Sequence, residues 1–431
     1  MRNFRSLVTD RLVRIHLARL RRSRRGDGGL GETLLPDSLS MALRRDGLEP
    51  VADLDRKREA APVIRAARWF GVNAWLVTGH DEVKAVLGRA GAFSNDFSRL
   101  VERAGLDAGA HPGGLGFSDP PDHTRLRRLL TPEFTMRRLE RLAPRIQEIV
   151  EGRLDAMAEQ TGPVDLMRAF ALPVPSLTMC ELLGVPHANN PEFQRLSVAH
   201  FDVSGEPDEV LRAASTALSH LMRLVRQQRE SPGDGLLGML VREHGDEISD
   251  RELAGLADGV LTGGLETTAS MLALGTVALL ADPVHLRLLR HEAGGGEVEW
   301  LVEELLRYLS VAQVAFPRFV RHDIDICGVT MKEGDLVVCS LSGANRDQSL
   351  GPGAERFDPT RRVSARPSHL AFGHGIHRCI GAELARMELR IAYPALVRRF
   401  PAMRLAVEPH EIPFRKLSIV YGVESLPVLL R

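Results

Sequence analysis

The chain has 431 residues, with 56 Lys+Arg balanced by 56 Asp+Glu, so it carries no net charge when His is neutral. That balance argues against bulk electrostatic binding to nucleic acid, although local patches remain possible. A hydrophobic content of 44% can bury a sizeable core, 5% aromatics points to aliphatic packing, and four cysteines (Cys180, Cys327, Cys339, Cys379) are too few and scattered for a disulfide scaffold.

Residues 2 to 25 hold nine arginines, with Phe4, Leu7, Val8, Leu12 and Ile15 at helical spacing. No uninterrupted apolar stretch makes a signal peptide or a span here. A solvated helix packed on the body is the simpler reading, and a basic amphipathic helix on a membrane surface is the other. Residues 1–45 are therefore read as a basic N-terminal extension. Past residue 50 there is no Ser/Pro tract, like-charge block or fixed-period repeat, so residues 46–431 are read as one domain.

The predicted elements are mostly helical. A strand-like run over Ala74 to Thr78 precedes a helix from about Asp81 to Leu87, and the glycine-rich 104–116 reads as a loop. A helix starts near Pro121–Asp122. Within it His123 and Arg127, at i and i+4, share a face and can reach one carboxylate. Residues 138–160 and 208–229 alternate apolar and charged positions at helical period.

Ser249 and Glu252 form a capping box, and apolar residues then run from Leu253 to Leu280, where Asp282–Pro283 ends the helix. At about 1.5 Å per residue it is on the order of 45 Å long, enough to cross the protein. Inside it stands Gly263-Gly264-Leu265-Glu266-Thr267-Thr268. A glycine pair costs a helix roughly 2 kcal/mol relative to alanines. Either it is a packing notch, or it makes room for a flat cofactor and a small molecule, with Glu266 and Thr267 as an acid and an alcohol able to relay protons.

A helix over about Val298 to Tyr308 brings Glu304 and Arg307 to i and i+3. DIDICGVTMKEGDLVVC then reads as a hairpin of two β-rich runs joined around Lys332–Gly334. Across it Cys327 and Cys339 could face each other, although small buried residues are the simpler reading. Last comes Phe372-Gly373-His374-Gly375-Ile376-His377-Arg378-Cys379-Ile380-Gly381, followed by a helix from Ala382 to Arg399 that contains Pro394. Two glycines before Cys379 and one after let the backbone fold tightly, and the helix N-terminus beyond favours an anionic sulfur. A structural cysteine, or zinc held with His374 and His377, remains open on the loop alone.

FGHGIHRCIG followed by AELAR resembles the haem-binding signature of the cytochrome P450 family, and similar matches recur over residues 46 to 431. The resemblance implies a mainly α fold with a small β portion, and haem b between a long distal helix and a proximal Cys loop, its iron held by Cys379. It implies insertion of one oxygen atom from O2 into an organic substrate, with Thr267 as the oxygen-side alcohol and Glu266 as the acid. Gly263, Gly264 and Phe372 would lie against the cofactor. His123 and Arg127 match the family's H-x-x-x-R pair, and Arg318 and His377 match two further propionate-binding positions. The pair Glu304–Arg307, joined by Arg361, would brace the cysteine loop.

A non-catalytic haem sensor or carrier is the alternative. Phe93, Phe97, Leu115, Phe117, Leu172, Val260, Val314 and Phe316 are candidates to line a pocket for a bulky, weakly polar molecule of polyketide, terpenoid or steroid class. With no flavin or iron–sulfur segment in the chain, the expected electron donors are a ferredoxin and its reductase. Arg125, Arg128, Arg378 and Arg386 are the expected docking face. The resemblance to the soluble bacterial branch points to the cytoplasm.

Overall fold

The computed structural model describes residues 36–69, 72–96, 114–189, 194, 207–290, 296–361 and 369–431. Most of the basic extension, most of the loop at 104–116 and Phe97 lie outside these. The helices of eight residues or more are α1 (Ala52–Ala60), α2 (His80–Gly88), α3 (Asp122–Leu130), α4 (Ala143–Ala158), α5 (Pro173–Leu183), α6 (Pro207–Glu230), α7 (Leu236–His244), α8 (Asp250–Leu280), α9 (Pro283–Arg290), α10 (Glu297–Leu309) and α11 (Ala382–Arg399).

The capping box at the start of α8 is formed. Glu252 N–H donates to Ser249 Oγ at 3.2 Å, and Ser249 N–H donates to Glu252 Oε2 at 2.9 Å. From Leu253 to Leu279 most side chains of α8 are buried, because α5, α6 and α11 pack around it. By length and composition this helix is able to cross a membrane, but most of it is covered by the protein itself. It is the centre of the main core.

Helix α11 locks onto α8 through Tyr393. Its hydroxyl donates to Met271 O at 2.5 Å and stands over Gly275, where any Cβ would collide with it. A buried phenol needs such a partner, and here a glycine makes the approach possible. The helix continues on both sides of Pro394.

One turn earlier in α11, Glu388 is buried and neither carboxylate oxygen has a partner among the described residues. Desolvation pushes its carboxyl up to about 8. In the unfolded chain the same group titrates near 4.3. Between those values the unfolded state releases a proton that the folded state keeps, so the group lowers stability as pH rises and adds nothing further above about 8. The change should be on the order of 5 kcal/mol. Glu388→Gln is therefore expected to remove this slope: its melting temperature should gain on the parent's between pH 5 and 8. Parallel melting curves across that range would refute the assignment.

The β portion is made of small sheets packed against the helices. Strands β1 (Arg45–Asp46) and β2 (Glu49–Pro50) pair with each other. A five-stranded sheet has the order β3 (Val63–Trp69), β4 (Val72–Val77), β10 (Leu336–Cys339), β7 (Arg318–Val320), β5 (Phe93–Ser94). Strand β6 (Val164–Asp165) joins β11 (Arg404–Leu405) and β12 (Pro427–Leu429), while β8 (Ile324–Ile326) pairs only with β9 (Val329–Met331).

The hairpin expected around Lys332–Gly334 is not the one formed. β8 and β9 turn at Cys327–Gly328, both with positive φ (52° and 79°), the pattern a two-residue hairpin turn of type I′ requires. β10 instead leaves for the larger sheet, parallel to β4 and antiparallel to β7. Cys327 consequently lies exposed at a turn and Cys339 is buried in a strand, so the two do not face each other.

Candidate functional site

The cysteine loop is built by close backbone approaches. Gly373 and Gly375 take φ of 69° and 74°, a region that costs other residues strain. A Cβ on Gly375 would strike the carbonyl of Leu87 at the end of α2. Cys379 N–H donates to Phe372 O at 2.9 Å, and Arg378 N–H to Gly375 O at 3.0 Å. Phe372 is half-buried beneath the Arg386 guanidinium, 4.6 Å from its ring centre.

Protein surrounds Cys379 at a distance, while its own surface is exposed. Desolvation raises the thiol, against the Gly381 N–H bond and the positive charges of Arg378, Arg127 and Arg386, which favour thiolate. A strong Lewis acid on the sulfur would complete what those groups begin. The loop leads directly into α11, which packs on α8.

A cationic cluster gathers near the same loop. The rings of His123 and His377 lie 4.1 Å apart. Burial, then His123 and Arg318, hold the His377 imidazole down at about 3. Burial and Arg127 lower His123, and burial lowers Arg318 and Arg127. Both ring nitrogens of His123 are buried without a partner among the described residues. Among the described residues Arg318 donates to the carbonyls of Phe316 and Pro317, at 2.5 and 3.5 Å. The neighbouring carboxylate, Asp119, already accepts from Ser94, from Asn95 N–H at 2.9 Å and from Arg321 at 2.6 Å. Two arginines and two imidazoles this crowded call for an anion that the described residues do not supply. A cofactor with two carboxylates beside Cys379 fits that demand.

On α8 the two glycines separate in role. A Cβ on Gly263 would meet nothing within 4 Å, and Thr267 Oγ1 donates to Gly263 O at 2.6 Å. Gly264 was expected to share that open face but does not. A Cβ there would meet Met179 Sδ at 2.5 Å, so Gly264 is a packing contact with α5. Glu266 is fully buried, and its Oε2 accepts from Arg415 Nη1 at 2.6 Å. Its other oxygen is enclosed and has no partner among the described residues.

The bracing triad is assembled. Arg307 donates to both oxygens of Glu304 at 2.7 Å, and Arg361 Nε stands 3.4 Å from Glu304. Arg307 also donates to the carbonyls of Asn345, Ala354 and Arg356, at 2.6, 2.5 and 2.8 Å. Asn345 Oδ1 in turn accepts from Leu370 N–H at 2.6 Å, so the brace reaches the start of the cysteine loop.

Several expected residues are engaged elsewhere. Arg386 is buried, bonded to Glu303 at 2.5 and 2.8 Å and to Glu383 at 2.8 Å, and Arg125 pairs with Glu252. Arg386 is thereby buried, Arg125 stays partly exposed beside Glu252, and Arg128 and Arg378 are exposed. Although burial opposes it, bonding from Arg386 and His369 holds the Glu303 carboxyl near 2. Spacing did not reveal this cluster or Arg415, because each partner comes from a distant segment.

Phe93 and Val314 are core residues rather than pocket lining. Leu115, Leu172 and Val260 are half-buried against the main core. Phe117 and Phe316 meet edge to face at 4.9 Å, with Phe316 46% exposed.

Comparison with known proteins gives a consistent picture. The pattern of the Cytochrome P450 family matches residues 67–204 and 209–421. Cytochrome P450-SU2 of Streptomyces griseolus is 40% identical over 403 residues, 92% of this chain and 98% of that one. The cytochrome P450 monooxygenase PikC of Streptomyces venezuelae is 39% identical, covering 93% and 96%. Among solved structures, OxyE, a cytochrome P450 involved in teicoplanin biosynthesis, superposes with a TM-score of 0.80 at 40% identity, covering 90% of this chain and 99% of that one. MycCI, the mycinamicin VIII C21 methyl hydroxylase of Micromonospora griseorubida, gives 0.82 at 33%, covering 90% and 97%.

Proposed function

The chain belongs to the cytochrome P450 family, and from that premise we propose how its own residues divide the work of a haem-thiolate monooxygenase. The family's cofactor is haem b with cysteine-thiolate ligation of the iron, and Cys379 is the ligand. When bound, haem supplies the iron at which O2 is reduced and split, with electron density pushed from the thiolate.

The single observation that carries the assignment is the cationic cluster beside Cys379, with His123 partnerless on both nitrogens among the described residues. His123, Arg127, Arg318 and His377 would neutralise and hydrogen-bond the two haem carboxylates. Phe372 and the glycine turns keep the loop close to a flat partner. On the other side, Gly263 leaves room against α8, and the Thr267 hydroxyl stands at that gap to receive and pass a proton. Glu266 is the acid behind it.

The substrate proposed is a bulky, largely apolar molecule of the polyketide, terpenoid or steroid class, undergoing hydroxylation or epoxidation. The half-buried Leu115, Leu172 and Val260 and the Phe117–Phe316 pair support this choice, as does kinship with a mycinamicin VIII hydroxylase. Electrons are proposed to come from a ferredoxin and its reductase, received near the exposed Arg128 and Arg378. The proposal places the enzyme in the cytoplasm, on the strength of its kinship with the bacterial relatives named above. Kinship with named monooxygenases leaves the sensor or carrier reading without support.

The deciding experiment is the spectrum of the reduced, carbon monoxide-bound protein, followed by turnover with ferredoxin, reductase and a panel of apolar natural products. A Soret band shifted far to the red, lost in Cys379→Ser, is the expected result. An unshifted band, or a shifted band with no oxidised product from any substrate that binds, would sink the reading.

A further inference from the structure

The β1–β2 hairpin lies before residue 67, where the match to the family pattern begins, and among the described residues no other strand pairs with it. Side chains fasten it to the body. Arg45 donates from Nε to Gln313 Oε1 at 2.8 Å, from Nη2 to Ser310 O at 3.0 Å and from Nη1 to Leu48 O at 3.2 Å. Its guanidinium stands 4.8 Å from the centre of the Tyr421 ring, whose hydroxyl donates to Gly47 O at 2.6 Å. On the second strand, Glu49 accepts from Tyr308 and from the buried Arg346.

Arg45 reaches the end of α10 at a point of strain. Ser310 follows the last turn with φ of 40° and ψ of 59°, left-handed backbone that a residue with a Cβ adopts at a cost. Its carbonyl accepts from Arg45, and its hydroxyl donates to the backbone carbonyl of Arg307 at 2.8 Å. The same hydroxyl accepts from Asn345 Nδ2 at 2.7 Å, while Asn345 Oδ1 accepts from Leu370 N–H at 2.6 Å. Reversing that amide would set its NH2 against Leu370 N–H, so its direction is fixed. Leu370 O then accepts from Gly373 N–H at 2.8 Å, and Phe372 O from Cys379 N–H at 2.9 Å. A directed series of hydrogen bonds thus runs from the hairpin to the cysteine loop.

We propose that Arg45 is a positioning residue for the thiolate, acting through Ser310 and Asn345, and that the β1–β2 hairpin is a latch on the cysteine loop. This rests on the reading of Cys379 as the haem ligand. A guanidinium suits the task because its rigid fork of donors spans acceptors in separate segments. While Arg45 is in place, the Ser310 carbonyl has a reason to keep its left-handed turn. Without it Ser310 relaxes, its hydroxyl leaves Asn345, and the amide that holds Leu370 loses its second anchor. His123 and Arg127 stand on α3 and Arg318 on β7, outside this relay, so the haem carboxylates keep their partners. Loss of the latch therefore lowers the share of haem bound through sulfur without emptying the pocket.

The test uses the whole, haem-loaded chain in its reduced, carbon monoxide-bound form. It reads the ratio of the far-red-shifted Soret band to the unshifted one, beside haem content per chain. Arg45→Met should lower the ratio about tenfold at unchanged haem content, as losing one hydrogen bond from a charged group implies. Asn345→Ala should lower it by a similar factor, and the double variant no further than either alone, since both interrupt one relay. Arg45→Lys, which keeps one donor, should recover part of the loss. Glu49→Gln, at an exposed position that the fold tolerates, should lower the ratio about threefold by weakening charge-assisted contacts to Arg346 and Tyr308. Leu221→Ala, a core truncation on α6 that the relay does not touch, should lower the melting temperature and leave the ratio unchanged. A parent-like ratio in Arg45→Met and Glu49→Gln, additive losses in the double variant, or an equal loss in Leu221→Ala would overturn this inference alone, with Cys379→Ser still lacking the shifted band. A shifted band that survives Cys379→Ser would overturn both the inference and the ligand assignment on which it rests.

Discussion

Arg307→Ala should yield protein with little bound haem, well under a tenth of the parent's content per chain, and a melting temperature lowered by many degrees. The guanidinium is buried, pairs with both oxygens of Glu304 and donates to three carbonyls from the segment between Asn345 and Arg356. Removing one member of a buried pair costs about 3–5 kcal/mol, because the other charge is left uncompensated. Three carbonyls would lose a donor as well. That segment carries Asn345, whose side chain holds Leu370 N–H at the entry to the cysteine loop. The loss therefore extends to the place where the thiolate must stand. Absorbance of haem relative to protein, on material expressed cold, is the measurement. Normal haem content in Arg307→Ala would show that the brace is dispensable.

Thr267→Ala should behave in the opposite manner, keeping its haem and its substrate affinity while most of its reducing equivalents leave as hydrogen peroxide. The hydroxyl is half-buried, bonded to Gly263 O at 2.6 Å, and adjacent to the one glycine of the pair that faces open space. Its removal takes away no core contact of consequence but interrupts proton delivery, an effect of about a hundredfold or more where an acid–base group acts in the rate-determining step. Product, peroxide and NADPH consumed would be counted together. A ratio of product to NADPH equal to the parent's would exclude the role. The two variants thus separate folding around the cofactor from chemistry at it.

Much of this was legible along the chain because the information is local. A capping box, a long apolar run and a proline mark α8 from its neighbours in sequence. Glycines on both sides of Cys379 mark a loop that must fold tightly, and an i, i+4 spacing puts His123 and Arg127 on one face. Resemblance to a known family then linked segments that spacing alone cannot link. The hairpin lies a few residues away from its expected place because Cys327–Gly328 and Lys332–Gly334 both interrupt the β-rich residues between Ile324 and Cys339. The turn was decided by which residues adopt positive φ, and β10 was claimed by β4 and β7 from far away.

What the sequence determined by itself was the identity of the elements and the ligand. Periodicity and turn chemistry act over a few residues and leave their mark wherever the chain is read. Tertiary structure alone decided which charges are paired. Arg386 became a buried partner of Glu303, Arg125 a partner of Glu252, and Arg415 the counter-ion of Glu266 across 149 positions. It also separated Gly263 from Gly264, which the chain presents as equals, by setting Met179 against one of them. The physical reason is common to all four. A charge or a gap acquires its meaning from what lies within a few ångströms, and residues that close are brought together by packing, not by spacing.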